Sequence, residues 1–401
     1  MSGRRVAVTG LGVASPIGTS VPTFWASVTA GHSGIGPIVG MSADGFMTTV
    51  GAQVQEVGTP PGRGRAAALA SIAGAEALGQ AGIDAAGRGR VGLVLGTTMG
   101  EASWIESWPD ADGVLPEVPA SRQAELARSG PAAITADVAA TLGLGGRTLT
   151  LGAACAGGNY AIGRAADWIR AGRAEVVLAC GADAFSRTAL AGFGRLGALA
   201  SKSCRPFSAD RDGLVLGEGA GVLVLEAEEH AVARGAAVLG FVAGFGLACD
   251  AHHIVSPHPD GAGMARAIAA ALREAAISTE EVGWFCAHGT ATPANDPAEI
   301  AAVRAVFGSA PRQVPVSSVK ALTGHGLGAA SAIEAVCCLL ALRDGLVPPT
   351  WGLQAGDPAC AWDLVTDEPR AGRVEVVLNN SAAFGGNNAA VVFSSVARGA
   401  A

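Results

Sequence analysis

The sequence predicts an α/β fold made of two similar halves. Half of its 401 residues are hydrophobic and only 15% are charged, so the chain can bury a large core. Short apolar, β-branched runs alternate with alanine-rich runs of helical period, as in sheets that helices cover on both faces. Because no linker-like composition separates the halves, we expect one fused unit, with an N-terminal half at residues 1–240 and a C-terminal half at residues 241–401.

The predicted strands are short runs in which most side chains are apolar, the pattern of strands buried on both faces. They are Arg5–Gly10, Val91–Leu95, Arg147–Leu151, Val176–Cys180, Gly221–Glu226, Trp284–Ala287, Val314–Ser318, Val374–Leu378 and Ala389–Ser394. The predicted helices have apolar residues at helical spacing and are Ala66–Ala81, Pro131–Leu142, Tyr160–Ala171, Gly263–Ala276, Pro297–Phe307 and Ala329–Asp344. Gly82 and Gly172 follow two of these helices, where glycine readily adopts the left-handed backbone that ends a helix.

The two halves are related by similar segments. In the first half, a strand leads into a helix through the small-residue turn that holds Cys155. In the second half, a strand leads into a helix through the glycine-rich turn that holds His325. The segment Val6–Ser15 is likewise similar to Phe241–Cys249. Each half therefore places one reactive side chain at an equivalent turn.

Charge and hydropathy exclude several classes of protein. The formal charge is −7 and the pI is near 5.5, so the chain lacks the overall positive charge that is typical of proteins that bind nucleic acids. The stretches Val6–Ala43 and Val376–Ala397 lack charged residues, but prolines break the first and asparagines interrupt the second. Neither is expected to span a membrane. The apolar run after Arg4 and Arg5 is too short for a signal peptide, so we expect a cytoplasmic protein.

The chain has eight cysteines, and their spacing matches neither a zinc site nor a small disulfide framework. Most of them are interpreted as small buried hydrophobic residues. Cys155 differs, because it lies among small residues just before a predicted helix. The helix dipole and the free N–H groups at that position stabilise a thiolate. Cys155 is therefore a candidate nucleophile.

Two histidines lie in polar segments of the second half. His288 follows a predicted strand and precedes Thr290 and Thr292, whereas His325 lies between glycines that allow close backbone approach. Lys320, one of only two lysines in the chain, lies shortly before His325. A cation beside an imidazole keeps that imidazole neutral. The sequence therefore predicts a neutral His325, and both histidines are candidate site residues.

Two further features support such a site. Glu334, on the helix that follows His325, could pair with Lys320 and reduce the cost of burying the cation. Near the C-terminus, Phe384 precedes Gly385 and Gly386 in an uncharged loop. Adjacent glycines expose backbone N–H groups that suit an oxyanion.

These segments form sequence blocks in a fixed order. The blocks are Gly-Ala-Ala-Cys155, Arg205-Pro-Phe-Ser-Ala-Asp210-Arg211-Asp212-Gly, Asp250-Ala-His-His253, Cys-Ala-His288-Gly-Thr-Ala-Thr, Lys320-x4-His325 and Phe384-Gly-Gly-Asn-Asn. Together they resemble the β-ketoacyl-acyl carrier protein synthases of the I/II type, here as a discrete type II enzyme, over residues 4–396. The resemblance implies a dimer with the thiolase fold, in which two fused α/β repeats form five layers in the order α, β, α, β, α.

The resemblance also implies a role for each candidate residue. Cys155 is expected to take an acyl chain from a carrier-protein thioester. His288 and His325 are expected to bind the malonyl thioester and to assist its decarboxylation, in a site that Lys320 and Glu334 order. The reaction is a decarboxylative Claisen condensation of the acyl chain with malonyl-acyl carrier protein, which gives a β-ketoacyl-acyl carrier protein. The enzyme is thus expected to be an acyltransferase that needs no metal and no cofactor.

The same resemblance also implies which residues contact the substrate. The N–H groups of Cys155 and Phe384 are expected to form an oxyanion hole, and Phe384 is expected to gate acyl entry. The residues expected to contact the substrate are Thr290, Thr292, Phe384, Gly385, Met99 and Trp104, with Trp108 as a further candidate for the pocket wall.

The pathway is a finer question. Fatty-acid members of the family usually have Gly-Phe-Gly-Gly-Thr-Asn, where this chain has Ala383 and Asn387 in place of the first glycine and the threonine. This departure favours a type II polyketide or polyene ketosynthase, and fatty-acid elongation stays open as the alternative. A thiolase fits less well, because the glycine loop holds no second cysteine.

The expected partners are an acyl carrier protein and a second subunit. Carrier proteins are acidic, so an acidic chain needs a local basic patch to bind one. The candidates for that patch are Arg63, Arg65, Arg205 and Arg211. The second subunit is either another copy of this chain or a homologous subunit that resembles a chain-length factor.

Overall fold

The structure, a computed structural model, describes residues 4–60, 62–106, 123, 126–308 and 312–396. In chain order, the strands of these residues are β1 (Val6–Ala14), β2 (Ile35–Pro37), β3 (Val50–Ala52), β4 (Gly92–Thr97), β5 (Thr148–Gly152), β6 (Val176–Asp183), β7 (Gly219–Ala227), β8 (Gly240–Cys249), β9 (Trp284–Cys286), β10 (Val316–Ser317), β11 (Leu346–Val347), β12 (Arg370–Ala371), β13 (Val376–Ala383) and β14 (Asn387–Ser394). The α-helices are α1 (Val21–Ala30), α2 (Arg65–Gln80), α3 (Ala102–Glu106), α4 (Pro131–Leu142), α5 (Gly157–Arg170), α6 (Arg187–Arg195), α7 (Glu228–Ala233), α8 (Ala262–Ala275), α9 (Asn295–Phe307), α10 (Lys320–Thr323) and α11 (Ala330–Asp344).

The main sheet has ten strands in the order β10-β9-β13-β14-β8-β1-β7-β6-β4-β5. Strands β1 and β8 join only where Ala7 faces Phe241 and Val8 faces Gly240, so the strands divide into two groups of five. We count pairs of neighbouring strands from β1 to β5 in one group and from β8 to β10 in the other. In each group the first two pairs are antiparallel and the last two pairs are parallel. The repeat indicated by the sequence is therefore present as a repeat of strand order and direction.

The helices form three layers around these two groups of strands. Helices α5 and α11 lie in the middle and share one apolar cluster with the inner faces of both groups. Helices α2 and α4 cover the outer face of the first group, and α8 and α9 cover that of the second. The middle helices approach closely, since a Cβ on Gly158 would lie 2.5 Å from the backbone nitrogen of Ala332. The layers follow the order α, β, α, β, α, which confirms the predicted fold class.

The similarity of Val6–Ser15 to Phe241–Cys249 has a packing explanation. A Cβ on Gly12 of β1 would lie 1.8 Å from the carbonyl oxygen of Ala73 in α2. A Cβ on Gly246 of β8 would lie 2.1 Å from the carbonyl oxygen of Ala267 in α8. The same close contact between strand and helix therefore occurs in both halves and requires glycine in both. The glycines also explain why composition alone does not predict β8 as a strand.

Several element bounds differ from the prediction. Helices α1 and α6 are not predicted from periodicity, and α6 contains two glycines, which lower helix propensity. The predicted strand Val314–Ser318 is reduced to β10 (Val316–Ser317). Gly82 and Gly172 have φ values of +67° and +65°, as predicted for residues that follow a helix. No helix in the described part of the chain is long and apolar enough to cross a membrane.

Candidate active site

Cys155 lies at the turn between β5 and α5. A short 3₁₀ turn, Ala154–Ala156, connects the two elements, and Ala154 adopts a φ of +46°, which is unusual for a residue with a Cβ. The Cys155 side chain is buried. Strained turns of this kind are found where a side chain is held in one orientation at a functional site.

Cys155 lines a cavity of about 210 Å³ together with His288, His325 and Phe384. Thr290 and Thr292 line the same cavity. These residues come from segments that are widely separated in the sequence, and the structure brings them together as the sequence predicts.

The two imidazoles lie side by side at the base of this cavity. Their ring centroids are 5.2 Å apart and the ring planes are nearly perpendicular, at 84°. The Nζ atom of Lys320 lies 3.4 Å from Nδ1 of His288. Because an ammonium group can only donate, Nδ1 accepts and the proton of His288 resides on Nε2. Nδ1 of His325 is buried and has no hydrogen-bond partner among the described residues.

Both imidazoles are held in the neutral form. Burial lowers the pKa of His288 well below its usual value, and the charge of Lys320 and the neighbouring His325 lower it further. Burial and Lys320 also lower the pKa of His325. Neutral imidazoles can donate a hydrogen bond to a carbonyl oxygen that gains negative charge.

The neutral histidines predict a particular dependence of stability on pH. The unfolded chain binds a proton on each imidazole below pH 6.5, whereas the folded chain does not, so the contribution of the two histidines to the free energy of unfolding falls as the pH falls. Glu334 and Asp183, whose pKa values burial raises, contribute in the opposite direction. Each histidine contributes up to about 1.4 kcal/mol per pH unit to this slope. Urea denaturation between pH 7.5 and 5.5 measures it, with His325→Gln as the control. The variant is expected to show a shallower slope, and equal slopes would contradict the prediction.

Lys320 and Glu334 form a buried ion pair. Lys320 lies in α10 and Glu334 in α11, and both side chains are almost completely buried. Burial raises the pKa of Glu334 to about 7, although the charge of Lys320 acts to lower it. Lys320 thus contacts the Glu334 carboxylate, as predicted from the sequence, and the His288 ring, whereas the sequence predicts the cation beside His325.

The environment of the Cys155 thiol differs from the expected one. Burial raises the pKa of Cys155 to about 12, although the charge of Lys320 and hydrogen bonds from the backbone N–H groups of Cys155 and Phe384 act to lower it. The backbone N–H groups therefore favour the thiolate, as expected for this turn, but the loss of water on burial outweighs them. The two N–H groups nevertheless point at the sulfur, where the resemblance places an oxyanion hole.

Phe384 lies at the end of β13 in a 3₁₀ turn with Gly385 and Gly386, whose φ values are +80° and +75°. Its ring packs against Phe193, with centroids 5.5 Å apart. The N–H of Gly385 donates to the carbonyl oxygen of Ile254 at 2.7 Å. Gly385 itself is not among the lining residues of the cavity. The Phe384 side chain therefore lies at the cavity wall, held by one aromatic contact and a tight glycine turn.

Glu299 is a site residue that the sequence reasoning missed. Its buried carboxylate accepts hydrogen bonds from the backbone N–H groups of His288 at 2.7 Å and Gly289 at 2.8 Å. Asn380 donates to the same carboxylate at 2.7 Å. Glu299 therefore fixes the loop that carries His288. Glu299 lies in α9, shortly after the sequence block that contains His288. The available sequence signal was an acid in a predicted helix that is otherwise largely apolar.

Asp183 is a second buried acid without a predicted role. It accepts hydrogen bonds from the backbone N–H groups of Thr98 and Met99, each at 2.8 Å, and of Gly328 at 2.7 Å. Burial raises the pKa of Asp183 to about 6. Asp183 thus joins the end of β4 to the turn that follows His325.

Besides Gly385, two more predicted contacts with the substrate differ in the structure. Trp104 does not line the Cys155 cavity but a separate surface groove, together with Phe185. Met99 does not line the cavity directly and instead packs against the apolar cluster of α6, as Phe384 does. The third candidate for the pocket wall, Trp108, lies outside the described residues.

The predicted basic patch is also corrected. Arg65 is paired with buried Glu218 at 2.7 Å, and the Arg211 side chain is only 6% exposed and pairs with Asp357 at 2.6 Å. Arg63 and Arg205 are more exposed but pair with Asp137 and Asp210. These arginines neutralise carboxylates of the same chain, so they do not form a free basic surface.

Comparison with known proteins gives an independent view of the chain. Residues 3–60 and 63–231 match the family "Beta-ketoacyl synthase, N-terminal domain", and residues 239–354 match "Beta-ketoacyl synthase, C-terminal domain". Nodulation protein E of Rhizobium sp. (strain N33) is 38% identical over 98% of this chain and 100% of its own length. The 3-oxoacyl-[acyl-carrier-protein] synthase 2 of Vibrio harveyi is 38% identical over 99% of this chain and 100% of its own length.

Solved structures agree with these matches. The ishigamide ketosynthase/chain length factor structure has a TM-score of 0.89 and 38% identity, covering 98% of this chain and 100% of the matched chain. A type II polyketide ketosynthase in complex with its acyl-carrier protein, AntDE:AntF, has a TM-score of 0.89 and 32% identity over the same shares. The resemblance seen in the sequence blocks is confirmed. The chain belongs to the β-ketoacyl synthase family.

Proposed function

We propose that this chain catalyses the decarboxylative condensation of a Cys155-bound acyl chain with malonyl-acyl carrier protein. The observation that carries the proposal is one cavity lined by a thiol and two neutral imidazoles, with the Cys155 and Phe384 N–H groups directed at the sulfur. No metal or cofactor is part of the proposed reaction.

The first half-reaction loads the enzyme. The Cys155 sulfur attacks the carbonyl carbon of an acyl thioester, the bond from that carbon to the pantetheine sulfur breaks, and the thiol proton passes to the departing sulfur. The developing oxyanion accepts hydrogen bonds from the N–H groups of Cys155 and Phe384. Two such preorganised donors lower the barrier strongly. Thr290 and Thr292 lie on the cavity wall, where they can contact the pantetheine arm.

The second half-reaction forms the carbon–carbon bond. The malonyl thioester oxygen accepts hydrogen bonds from Nε2–H of His288 and His325, and loss of carbon dioxide leaves an electron pair in an enolate. Neutral donors stabilise this enolate without being consumed. The enolate carbon attacks the acyl carbon, the bond to the Cys155 sulfur breaks, and the released thiolate takes a proton from water.

The proposal extends to a pathway and a partner. Two similar solved structures are a ketosynthase/chain length factor and a type II polyketide ketosynthase with its carrier protein. In this chain Asn387 contacts the carbonyl oxygen of Phe384 at 3.5 Å, so one of the departures from the fatty-acid pattern lies at the gate. We favour a polyketide or polyene ketosynthase that acts with an acyl carrier protein and a homologous second subunit. Fatty-acid elongation is the alternative, and a cytoplasmic location remains a prediction.

Acyl donor preference distinguishes the two pathways. The protein is incubated with carrier proteins that bear saturated or polyunsaturated chains of equal length, with and without a co-expressed homologous subunit, and intact mass is measured. A mass gain of one acyl group, at least several-fold faster with polyunsaturated chains, is the expected result. Faster loading of saturated chains would support fatty-acid elongation instead. Full activity of this chain alone would exclude a required second subunit.

A further inference from the structure

Strand β13 carries two adjacent asparagines in the core of the protein. Asn379 and Asn380 are both completely buried. Because side chains alternate along a strand, their amides lie on opposite faces of the sheet. An apolar strand would satisfy packing alone, so two buried amides in succession need an explanation.

On one face, Asn379 binds the helix that follows the nucleophile. Its Nδ2 atom donates to Oδ1 of Asn159 at 3.0 Å and to the carbonyl oxygen of Ser331 at 2.8 Å. Asn159 returns a hydrogen bond from its own Nδ2 to the carbonyl oxygen of Asn379 at 3.1 Å. Asn159 lies in the first turn of α5, next to the Cys155 turn, and Ser331 lies in the first turn of α11. The pair therefore connects β13 with both middle helices.

On the other face, Asn380 donates to Glu299, the carboxylate that fixes the His288 loop. Strand β13 ends at Ala383, and the next residue is Phe384, whose N–H contacts the Cys155 sulfur. One strand thus contacts the nucleophile helix, the histidine loop and the predicted oxyanion hole.

We propose that Asn159 and Asn379 are positioning residues that hold the Cys155 turn in register with the Phe384 N–H. This inference rests on the proposed function, because the register matters for an oxyanion that forms between these groups. The amide pair is a costly way to fill a core. The Oδ1 atoms of Asn379 and Asn380 are buried without a hydrogen-bond partner among the described residues. Two apolar side chains of similar shape would leave no buried oxygen without a hydrogen-bond partner, as Oδ1 of Asn379 is here. Apolar contacts are not directional, however, so only hydrogen bonds fix the position of β13 relative to α5.

Leucine substitutions separate positioning from stability. Asn159→Leu or Asn379→Leu alone leaves a buried amide without its partner and is expected to lower the melting temperature. The double variant Asn159→Leu/Asn379→Leu removes both amides and is expected to regain most of the loss. Acylation of Cys155 by an acyl-carrier thioester, followed by intact mass, is expected to stay about tenfold or more below the wild type in the double variant.

Thr9→Val is the matched control. Thr9 donates a buried hydrogen bond to Glu226 at 2.9 Å between β1 and β7, and neither residue lines the cavity. This variant is expected to lose stability but to acylate at the wild-type rate. A double leucine variant that acylates as fast as the wild type would overturn the proposal and leave the pair a purely structural role.

A second measurement keeps the test independent of the proposed function. If the wild type accepts no acyl group, the proposed function fails. The positioning role is then tested by the rate at which iodoacetamide labels Cys155, measured by peptide mapping. The Phe384 N–H favours the thiolate, so labelling is expected to slow in the double variant when the register is lost. Unchanged labelling would overturn the positioning role.

Discussion

Replacement of Cys155 with alanine is expected to abolish acyl transfer to the protein. The thiol is the only nucleophile among the lining residues of the cavity that forms a thioester, and the remaining groups are imidazoles, hydroxyls, amides, one carboxylate and apolar side chains. Intact mass after incubation with an acyl-carrier thioester is expected to show one acyl group on the wild type and none on Cys155→Ala. Condensation should fall by a factor of about 10⁴ or more, to the background of the uncatalysed reaction.

Cys180→Ala is the control for this experiment. Cys180 is also a buried thiol, and burial raises its pKa above the usual value, but it lies in β6 and does not line the cavity. This variant should load acyl groups normally. Cys155→Ala should still release carbon dioxide from malonyl-acyl carrier protein, because the groups that stabilise the enolate remain. An acyl adduct that persists in Cys155→Ala would place the nucleophile elsewhere.

Replacement of Lys320 with methionine is expected to affect both stability and chemistry. It leaves the Glu334 carboxylate buried without its cation, which costs about 3–5 kcal/mol in the free energy of unfolding. It also removes the donor to Nδ1 of His288, so the ring no longer keeps its proton on Nε2. Malonyl decarboxylation is expected to fall by about 10² or more, as for loss of one donor to a developing oxyanion.

The double variant Lys320→Met/Glu334→Leu separates the two effects. Removing both charges from the core should restore most of the free energy of unfolding, because no unpaired ion remains. Decarboxylation should stay low in the double variant. Arg370→Met is the control, since the Arg370–Asp363 pair is partly exposed and its loss costs about 1 kcal/mol or less. Recovery of decarboxylation in the double variant would show that Lys320 serves stability alone.

The site residues that could be predicted from the sequence lie in short segments that are recognisable without knowledge of distant contacts. Cys155 lies in a small-residue turn between β5 and α5, and His325 lies in a glycine-rich turn between α10 and α11. Each turn is visible in a few consecutive residues of the sequence. The fold class was accessible for the same reason, because alternation of strands and helices is a local pattern.

The features that could not be predicted depend on contacts distant in the sequence. The ion pair of Arg211 with Asp357 joins residues separated by 146 positions, so the sequence does not show that this arginine is unavailable for docking. The pKa of Cys155 depends on how far the packed helices exclude water, which a helix terminus alone does not indicate. Glu299 is visible in the sequence as an acid in a predicted helix, but its partners are backbone N–H groups, and the sequence does not show where these lie.

The equivalent turns of the two halves have a consequence for how such a site can arise. Two identical subunits related by a twofold axis would present the same side chain from both turns, a thiol facing a thiol or an imidazole facing an imidazole. Covalent fusion removes that symmetry, because each copy of the turn can then change without the other. The thiol at the first turn and the imidazole at the second line one cavity here. A nucleophile opposite a hydrogen-bond donor thus requires two fused halves that differ at this turn, and neither half could supply it alone.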